Sequence, residues 1–441
     1  MTPRFCVLDW TDLDECQRIQ LLTRGGAAAD GEDNPLRAGV RALVADVAER
    51  GDAAVVDALA EYDGVSCGPE DLRVSDDEVA AAAGKLPDDL RTAVNTAVDR
   101  IRAFNVEAMR RTSWSADVGG TQLGELVRPV ASAGLFVPSG KGSFPSVLIQ
   151  IGTPAVVAGV AKLVLAVPPL PGANGAVDPA TLYAASRLGI SEIFRVNGPA
   201  GIGALAYGTD SIPKVGKIVG PGSPAVQIAQ AEVQRSGCVV EVGFGPTDAL
   251  IISDGTSNVV HLTADLINEA EHGPDSSAVL VSTDADELAA VVNELPVQLA
   301  RLPEPRKGYA EASIAVNGGL VLAKDQQQAM DIANDYAPEH LQLAVKAPGD
   351  WLPLVRHAGT VLMGQWATMS ASNFVIGTPA TLPTSGYAKT VSGVTVHTFL
   401  TRIATAAVNE GAFWELAPHI EALSRHEGFP AHAASVTTRR G

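Results

Sequence analysis

LVLAVPP (163–169), ATLYAASRLG (180–189), EIFRVNG (192–198), PAGIGALAYG (199–208) and KIVGPG (217–222) follow one another in the middle third of the chain. Short apolar runs alternate with stretches of helical periodicity, and Asp178-Pro179 supplies a helix start before the second. Strands alternating with helices at this pitch give parallel βαβ units, and therefore an α/β fold. Ligands of such sheets bind beyond the carboxyl ends of the strands, where this chain has the loops AVPP, VNGPAG and VGPGSP. Glycine there lets backbone N–H groups approach a phosphate at a helix N-terminus. Asn197-Gly198-Pro199-Ala200-Gly201 is nevertheless not a full G-x-G-x-x-G, and taken alone reads more readily as a tight turn between elements.

A second α/β run follows downstream: TDALIISD (247–254), the helix HLTADLINEAEH (261–272) and SAVLVST (277–283). Upstream, Thr23–Pro35 is Gly/Asp-rich without periodicity and reads as a linker. Leu36, Val40, Leu43, Val44 and Val47 then start a helical pattern. Ser75-x-x-Glu78 predicts a capping box, and Leu90, Val94, Val98, Ile101 and Phe104 trace one face of a long helix. Residues 115–135 alternate in short runs split by glycines, the pattern of strands and a hairpin. Residues 364–384, rich in Ser, Thr and Gly with few charges, read as a long ordered loop lining something.

With 441 residues, 46% hydrophobic and 19% charged, the chain can bury a large core. Lys+Arg 32 against Asp+Glu 50 leaves a net charge of −18 with no basic patch, which argues against a nucleic-acid partner. Cys6, Cys16, Cys67 and Cys238 form no CxxC pair, the usage expected of a reducing compartment. The N-terminus lacks a signal-peptide pattern, and prolines with Lys162 break the most apolar stretch, Ser143–Pro169, into pieces too short for a bilayer. The expectation is a cytoplasmic protein without membrane partners.

Three places have residues suited to chemistry. Glu269 and His272 stand three apart at a helix end, a spacing that suits a first-row metal and also arises by chance. Glu339-His340 joins a carboxylate to an imidazole after Pro338; both reach one site only near a turn or a helix start, where they suit general acid–base work. A helix-start Glu beside a packed His is the plainer alternative. Glu427 and His432 lie in the tail, where side chains are usually solvated.

The stretches GLFVPSG (134–140), FPSVLIQIGTPAVVAGV (144–160), VNGPAGIGALAYGTDSIPKVGKIVGPG (196–222), FGPTDALIISD (244–254), ADLINEAEHGPDS (264–276), NDYAPEHLQL (334–343), SGVTVHTFL (392–400) and GFPAHAASV (428–436) together resemble the histidinol dehydrogenase family. The resemblance implies oxidation of an amino alcohol to the carboxylate with two NAD+, in a zinc-bearing, intertwined homodimer with shared active sites. It implies two Rossmann-like, incomplete parallel-sheet domains with small N- and C-terminal extensions. Their expected extents are an arm at 1–29, a first domain at 30–133 with 249–395, a second, cofactor-side domain at 134–248, and a tail at 396–441 reaching the partner.

Residue by residue, the family's acid–base pair falls on Glu339 and His340. Its zinc ligands, Gln, His and Asp of one subunit and His of the other's tail, fall on Glu269, His272, Asn373 and His432. The two changes exchange carboxylate for amide and leave the charge of the set unchanged. Substrate contacts fall on Glu427, on Thr247 where the family has Ser, and on Ala380 where it has His. Its NAD contacts, Tyr, Gln and Asn, fall on Phe136, Ala200 and Ser223. With no complete dinucleotide fingerprint, NADP stays open beside NAD. These departures give the expectation of a zinc-assisted, NAD(P)-dependent dehydrogenase of a primary alcohol other than histidinol. A non-redox metal enzyme (lyase, hydrolase or condensing) on the same scaffold is the alternative, and a binding protein without activity the third.

Overall fold

The computed structural model describes residues 5–24, 35–138 and 142–440. Its strands, in chain order, are β1 (Val7–Asp9), β2 (Trp114–Val118), β3 (Thr121–Pro129), β4 (Ser132–Phe136), β5 (Lys162–Val167), β6 (Glu192–Arg195) and β7 (Lys217–Val219). The chain continues through β8 (Val239–Val240), β9 (Asp248–Ser253), β10 (Ser277–Ser282), β11 (Gly319–Leu322), β12 (His340–Ala344), β13 (Thr360–Met363) and β14 (Leu400–Val408).

Two parallel sheets result. The first has the order β6-β5-β4-β7-β8, and the second β1-β11-β10-β9-β12-β13. Numbered from β4, the first sheet is 3-2-1-4-5; numbered from β9, the second repeats that order with β1 added at its edge. Each therefore reverses direction at one place, between β4 and β7 and between β9 and β12, and such switch points leave a crevice for ligand. The α/β reading holds, down to the helices Pro179–Leu188 and Gly198–Tyr207 between the strands named from sequence.

The first sheet is covered on one face by the helices Pro35–Arg50, Asp52–Asp63, Gly198–Tyr207 and Pro224–Val233, through Val40, Val44, Val47, Leu59 and Leu205. Its other face carries Asp88–Met109, Pro145–Ala158 and Pro179–Leu188, through Val94, Val98, Ile101, Leu148 and Leu182. With both faces buried, its central strands read as continuous apolar runs rather than as apolar–polar alternation. Ser75 caps its helix reciprocally with Glu78, as the sequence pattern predicted. The second sheet is covered by Val259–Ala270, Ala285–Leu299 and Arg306–Ala315 on one side, and by Gln326–Tyr336 on the other.

This packing corrects the expected domain division. The helices between residues 35 and 109 pack mainly on the 132–240 sheet rather than on the sheet of 249–395, because their apolar stripes match its two faces. The N-terminal arm is not separate either: β1 pairs with β11, and Leu21 enters the core of the second sheet. The expected linker at 23–35 falls largely on residues 25–34, outside the described residues. The hairpin of β2 and β3 is present, turning at Gly119-Gly120, and β14 pairs antiparallel with β3 in the same chain.

The sheets meet edge to edge. Gly220 (φ 154°) lets the chain leave β7 against the end of β4, for a Cβ there would lie 2.0 Å from the Phe136 carbonyl oxygen. The Gly222 N–H donates to the Phe244 oxygen, and the Thr384 N–H to the Gly243 oxygen. The carboxyl edge of the first sheet is thereby placed beside the segment that enters the amino end of β9. Among the described residues no helix is long and apolar enough to cross a membrane.

Candidate active site

Glu339 and His340 stand where a helix turns into a strand. Gln326–Tyr336 ends with Ala337 in the left-handed conformation (φ 51°), and after Pro338 the chain enters β12 at His340. The turn meets the condition set by the sequence, but it opens a strand rather than a helix. Glu339 Oε1 and His340 Nε2 lie 3.7 Å apart, with the residues 7% and 1% exposed. Burial first, then the nearby charges of Asp248 and Glu269, hold the Glu339 carboxyl well above its ordinary range. Burial also lowers His340, which favours neutral imidazole. Its Nδ1 has no hydrogen-bond partner.

Sequence reasoning missed Asp248, although an acidic residue opening the apolar strand DALIIS is an available signal. The Glu339 N–H donates to Asp248 Oδ1 (2.7 Å), and the Asp248 N–H donates to Glu339 Oε2 (3.2 Å). This reciprocal pair ties the entrances of β9 and β12 together across the switch point. Both entrances are amino ends. The first sheet's glycine- and proline-rich loops lie at its carboxyl ends, where ligands were expected, whereas these residues lie at amino ends, because the second sheet turns its amino edge toward the first.

Glu269 lies at the end of Val259–Ala270 and is 1% exposed; His272 follows just beyond that helix. Glu269 Oε1 accepts from Asn268 Nδ2 and Asn373 Nδ2, each at 2.7 Å. Oε2 has no hydrogen-bond partner and stands 3.5 Å from His272 Nδ1. A buried carboxylate oxygen without a donor, facing an imidazole, fits a divalent cation better than it fits a vacant core. Asn373, in the helix Met369–Phe374, here directs its amide nitrogen to Glu269 and so steadies that carboxylate. Among the described residues no three His, Cys, Asp or Glu side chains of one chain gather at metal-holding distance.

Thr247 immediately precedes β9, next to Asp248. Ala380 lies in the loop after Met369–Phe374, its N–H donating to Oε1 of the buried Gln150, whose Nε2 reaches the Ser372 carbonyl. The structure brings Phe136, the first turn of Gly198–Tyr207 and the 220–223 loop together at the switch point of the first sheet: a Cβ at Gly201 would lie 3.4 Å from the Phe136 ring. Phe136 and Ala200 are buried and offer no polar side-chain atom, while the exposed Ser223 caps the next helix at Val226 N. A cleft lined by Val137, Phe144, Pro168, Leu170 and Asp178 opens beside the ends of β4 and β5. Glu427 and His432 are exposed on the tail, the His432 ring resting on Phe429, and within one chain they do not join the Glu269 cluster.

Two doubly wound parallel sheets, a buried Glu–His pair and a carboxylate–imidazole pair open to a cation define an α/β protein with groups suited to acid–base chemistry beside a metal. The histidinol dehydrogenase family profile matches residues 28–440. A histidinol dehydrogenase of Xanthomonas campestris is 38% identical over 435 residues, covering 98% of this chain and 99% of that protein. Histidinol dehydrogenase homolog 2 of Mesorhizobium japonicum is 36% identical over 436 residues, covering 98% and 97%. The crystal structure of the histidinol dehydrogenase of Elizabethkingia anophelis superposes with a TM-score of 0.92 at 30% identity, covering 100% of this chain and 98% of that one. The chain belongs to the histidinol dehydrogenase family of NAD-dependent, zinc-binding oxidoreductases.

Proposed function

We propose that this chain oxidises a primary alcohol through the aldehyde to the carboxylate at the Glu339/His340 site, with histidinol as substrate. The buried Glu339–His340 pair beside the open Glu269 oxygen is the observation that carries the reading. The names of the relatives support histidinol over the other alcohol expected from the sequence, and family membership gives the non-redox alternative no support.

Glu269 and His272 would hold the zinc, with Asn373 bracing Glu269 and His432 of a second copy completing the set. Zinc held there would supply positive charge that anchors and orients the substrate, and a bound nicotinamide would supply the two-electron acceptor. His340, neutral and open at Nδ1, takes the hydroxyl proton as hydride leaves the carbinol carbon. Glu339 then takes a proton from the water that adds to the aldehyde, and the hydrate loses the second hydride. One alcohol, one water and two NAD+ give one carboxylate, two NADH and three protons.

A homodimer with shared sites is part of the proposal, as is a cytoplasmic location. Ile403, Leu416, Leu423 and Phe429 expose apolar surface on β14 and the tail helices, and the metal set of one chain is incomplete among the described residues. A second reading, an alcohol without an imidazole, is favoured by Ala380, which presents only a methyl group where the family has His. Specificity constants for histidinol and a panel of primary alcohols with NAD+ test both. Histidinol preferred by orders of magnitude supports the first; another alcohol preferred replaces it with the second.

A further inference from the structure

Arg24 comes from the opposite end of the sequence, yet its guanidinium lies behind the Glu339 turn. It is delivered by a well-anchored segment: β1 pairs with β11, the helix Glu15–Leu22 places Leu21 in the core, and Arg18 bonds the Trp10 carbonyl. Arg24 itself is held at φ 55°, a backbone conformation uncommon for a non-glycine residue and maintained here by its surroundings.

From there the side chain makes three kinds of contact. Its Nε donates to Asp248 Oδ2 at 2.9 Å, with the two side chains 11% and 1% exposed. Its terminal nitrogens reach the carbonyls of Leu22 and Tyr336, at 2.9 and 2.8 Å. The guanidinium stacks 3.9 Å from the centre of the Tyr336 ring, whose hydroxyl bonds Ser277. Tyr336 is the last residue of the helix before the turn, so Arg24 satisfies a C-terminal carbonyl and opposes the negative end of that helix dipole. Asp248 in turn spends Oδ1 on the Glu339 N–H and Oδ2 on the Ser385 N–H and Arg24.

We infer that Arg24 is a positioning residue for the general base: it clamps Asp248 and the end of Gln326–Tyr336 together, and thereby fixes where Glu339 enters the site. Its hydrogen bonds go to Asp248, Leu22 and the turn rather than to Glu339 or His340, so its hold on the geometry of Glu339 runs through Asp248 and the turn, while its charge also reaches the carboxyl directly and lowers it. The inference rests on Glu339 serving as the base. Small misplacements of a reacting group are costly, which makes the rate the sensitive quantity and substrate affinity the insensitive one.

The test compares zinc-loaded Arg24→Met and Arg24→Lys with wild type for kcat, KM and Tm. Lysine keeps a cation on Asp248 but loses the planar fork that also reaches Tyr336. The expected result is a kcat about tenfold lower or worse in Arg24→Met, a KM for the alcohol within about threefold, and an intermediate kcat in Arg24→Lys. A wild-type kcat in folded Arg24→Met overturns the inference. So does a joint change of kcat, KM and Tm that lysine does not relieve, which is the mark of a merely structural role. Should Arg24→Met not fold, Arg24→Lys decides alone: lowered kcat at unchanged KM supports positioning, and wild-type kcat refutes it. Wild-type turnover is the control, since its absence counts against the proposed reaction rather than against Arg24. In that event amide exchange over residues 336–341 gives the answer, faster in Arg24→Met than in Arg24→Lys if the clamp exists and unchanged if it does not.

Discussion

Replacing Glu269 by Gln tests where the metal site keeps its negative charge. Glu269 holds two amide donors at 2.7 Å on Oε1 and leaves Oε2 open, in a place 1% exposed to solvent. Attraction between unit charges about 4 Å apart at an effective dielectric of about 20 is on the order of 4 kcal/mol. A glutamine oxygen retains part of that as a dipole, so the net loss toward a cation is about 3 kcal/mol, or roughly two orders of magnitude in Kd. Asn373 donates to the same carboxylate, so Asn373→Asp alone sets two carboxylates in contact and lowers the Tm of the metal-free protein. The double variant Glu269→Gln/Asn373→Asp restores one charge and should recover zinc affinity to within about tenfold of wild type. Competition against a chelator of known affinity measures Glu269→Gln and the double variant, and thermal unfolding of the metal-free protein measures Asn373→Asp. Glu269→Gln binding zinc as tightly as wild type would refute the assignment of Glu269 as the anionic ligand.

Glu339→Gln should slow aldehyde oxidation by about a hundredfold or more and alcohol oxidation less, because Glu339 is assigned to the water-adding step; single-turnover assays of each half-reaction would show equal losses if that division is wrong. Asp248→Asn removes a negative charge that raises the Glu339 carboxyl, so the acid limb of the aldehyde-oxidation rate should move to lower pH; movement to higher pH contradicts the stated cause. Chains carrying His272→Ala and His432→Ala should each be inactive alone and regain activity when co-expressed, since a mixed dimer restores one intact site. No recovery from mixed dimers would mean that the tail serves its own chain or none.

Much of the fold is written in local pattern. The runs LVLAVPP and EIFRVNG, each with buried residues on both faces, read as strands once helical stretches separated them, though pattern did not tell that the first is interior and the second lies at the sheet's edge. Ser75 and Glu78 announced their cap because a capping box is wholly local. Which sheet the helices at 35–109 cover was not legible, since an apolar stripe such as Val40, Val44 and Val47 does not name its partner. Nor was the pairing of β1 with β11, whose residues lie more than 300 positions apart.

The site followed the same division. Glu339 and His340 were visible as neighbours, and Glu269 and His272 as a helical spacing. Gln150 and Arg24 were not, because each acts through contacts made only when distant segments meet, and Asp248 showed only as an acidic residue opening an apolar strand, without its partners. The meeting of the second sheet's amino edge with the first sheet's carboxyl edge depends on the 220–224 and 243–245 loops, and sequence periodicity carries no information about it.

The central claim, that this chain performs a four-electron oxidation at Glu339 and His340, is met most directly by counting. Purified, zinc-loaded protein is given limiting histidinol and excess NAD+, and reduced nicotinamide is measured to completion by absorbance with the product identified. Two NADH and one carboxylate per alcohol consumed are the expected yield. One NADH with aldehyde released, or no reduced cofactor at all, would contradict it.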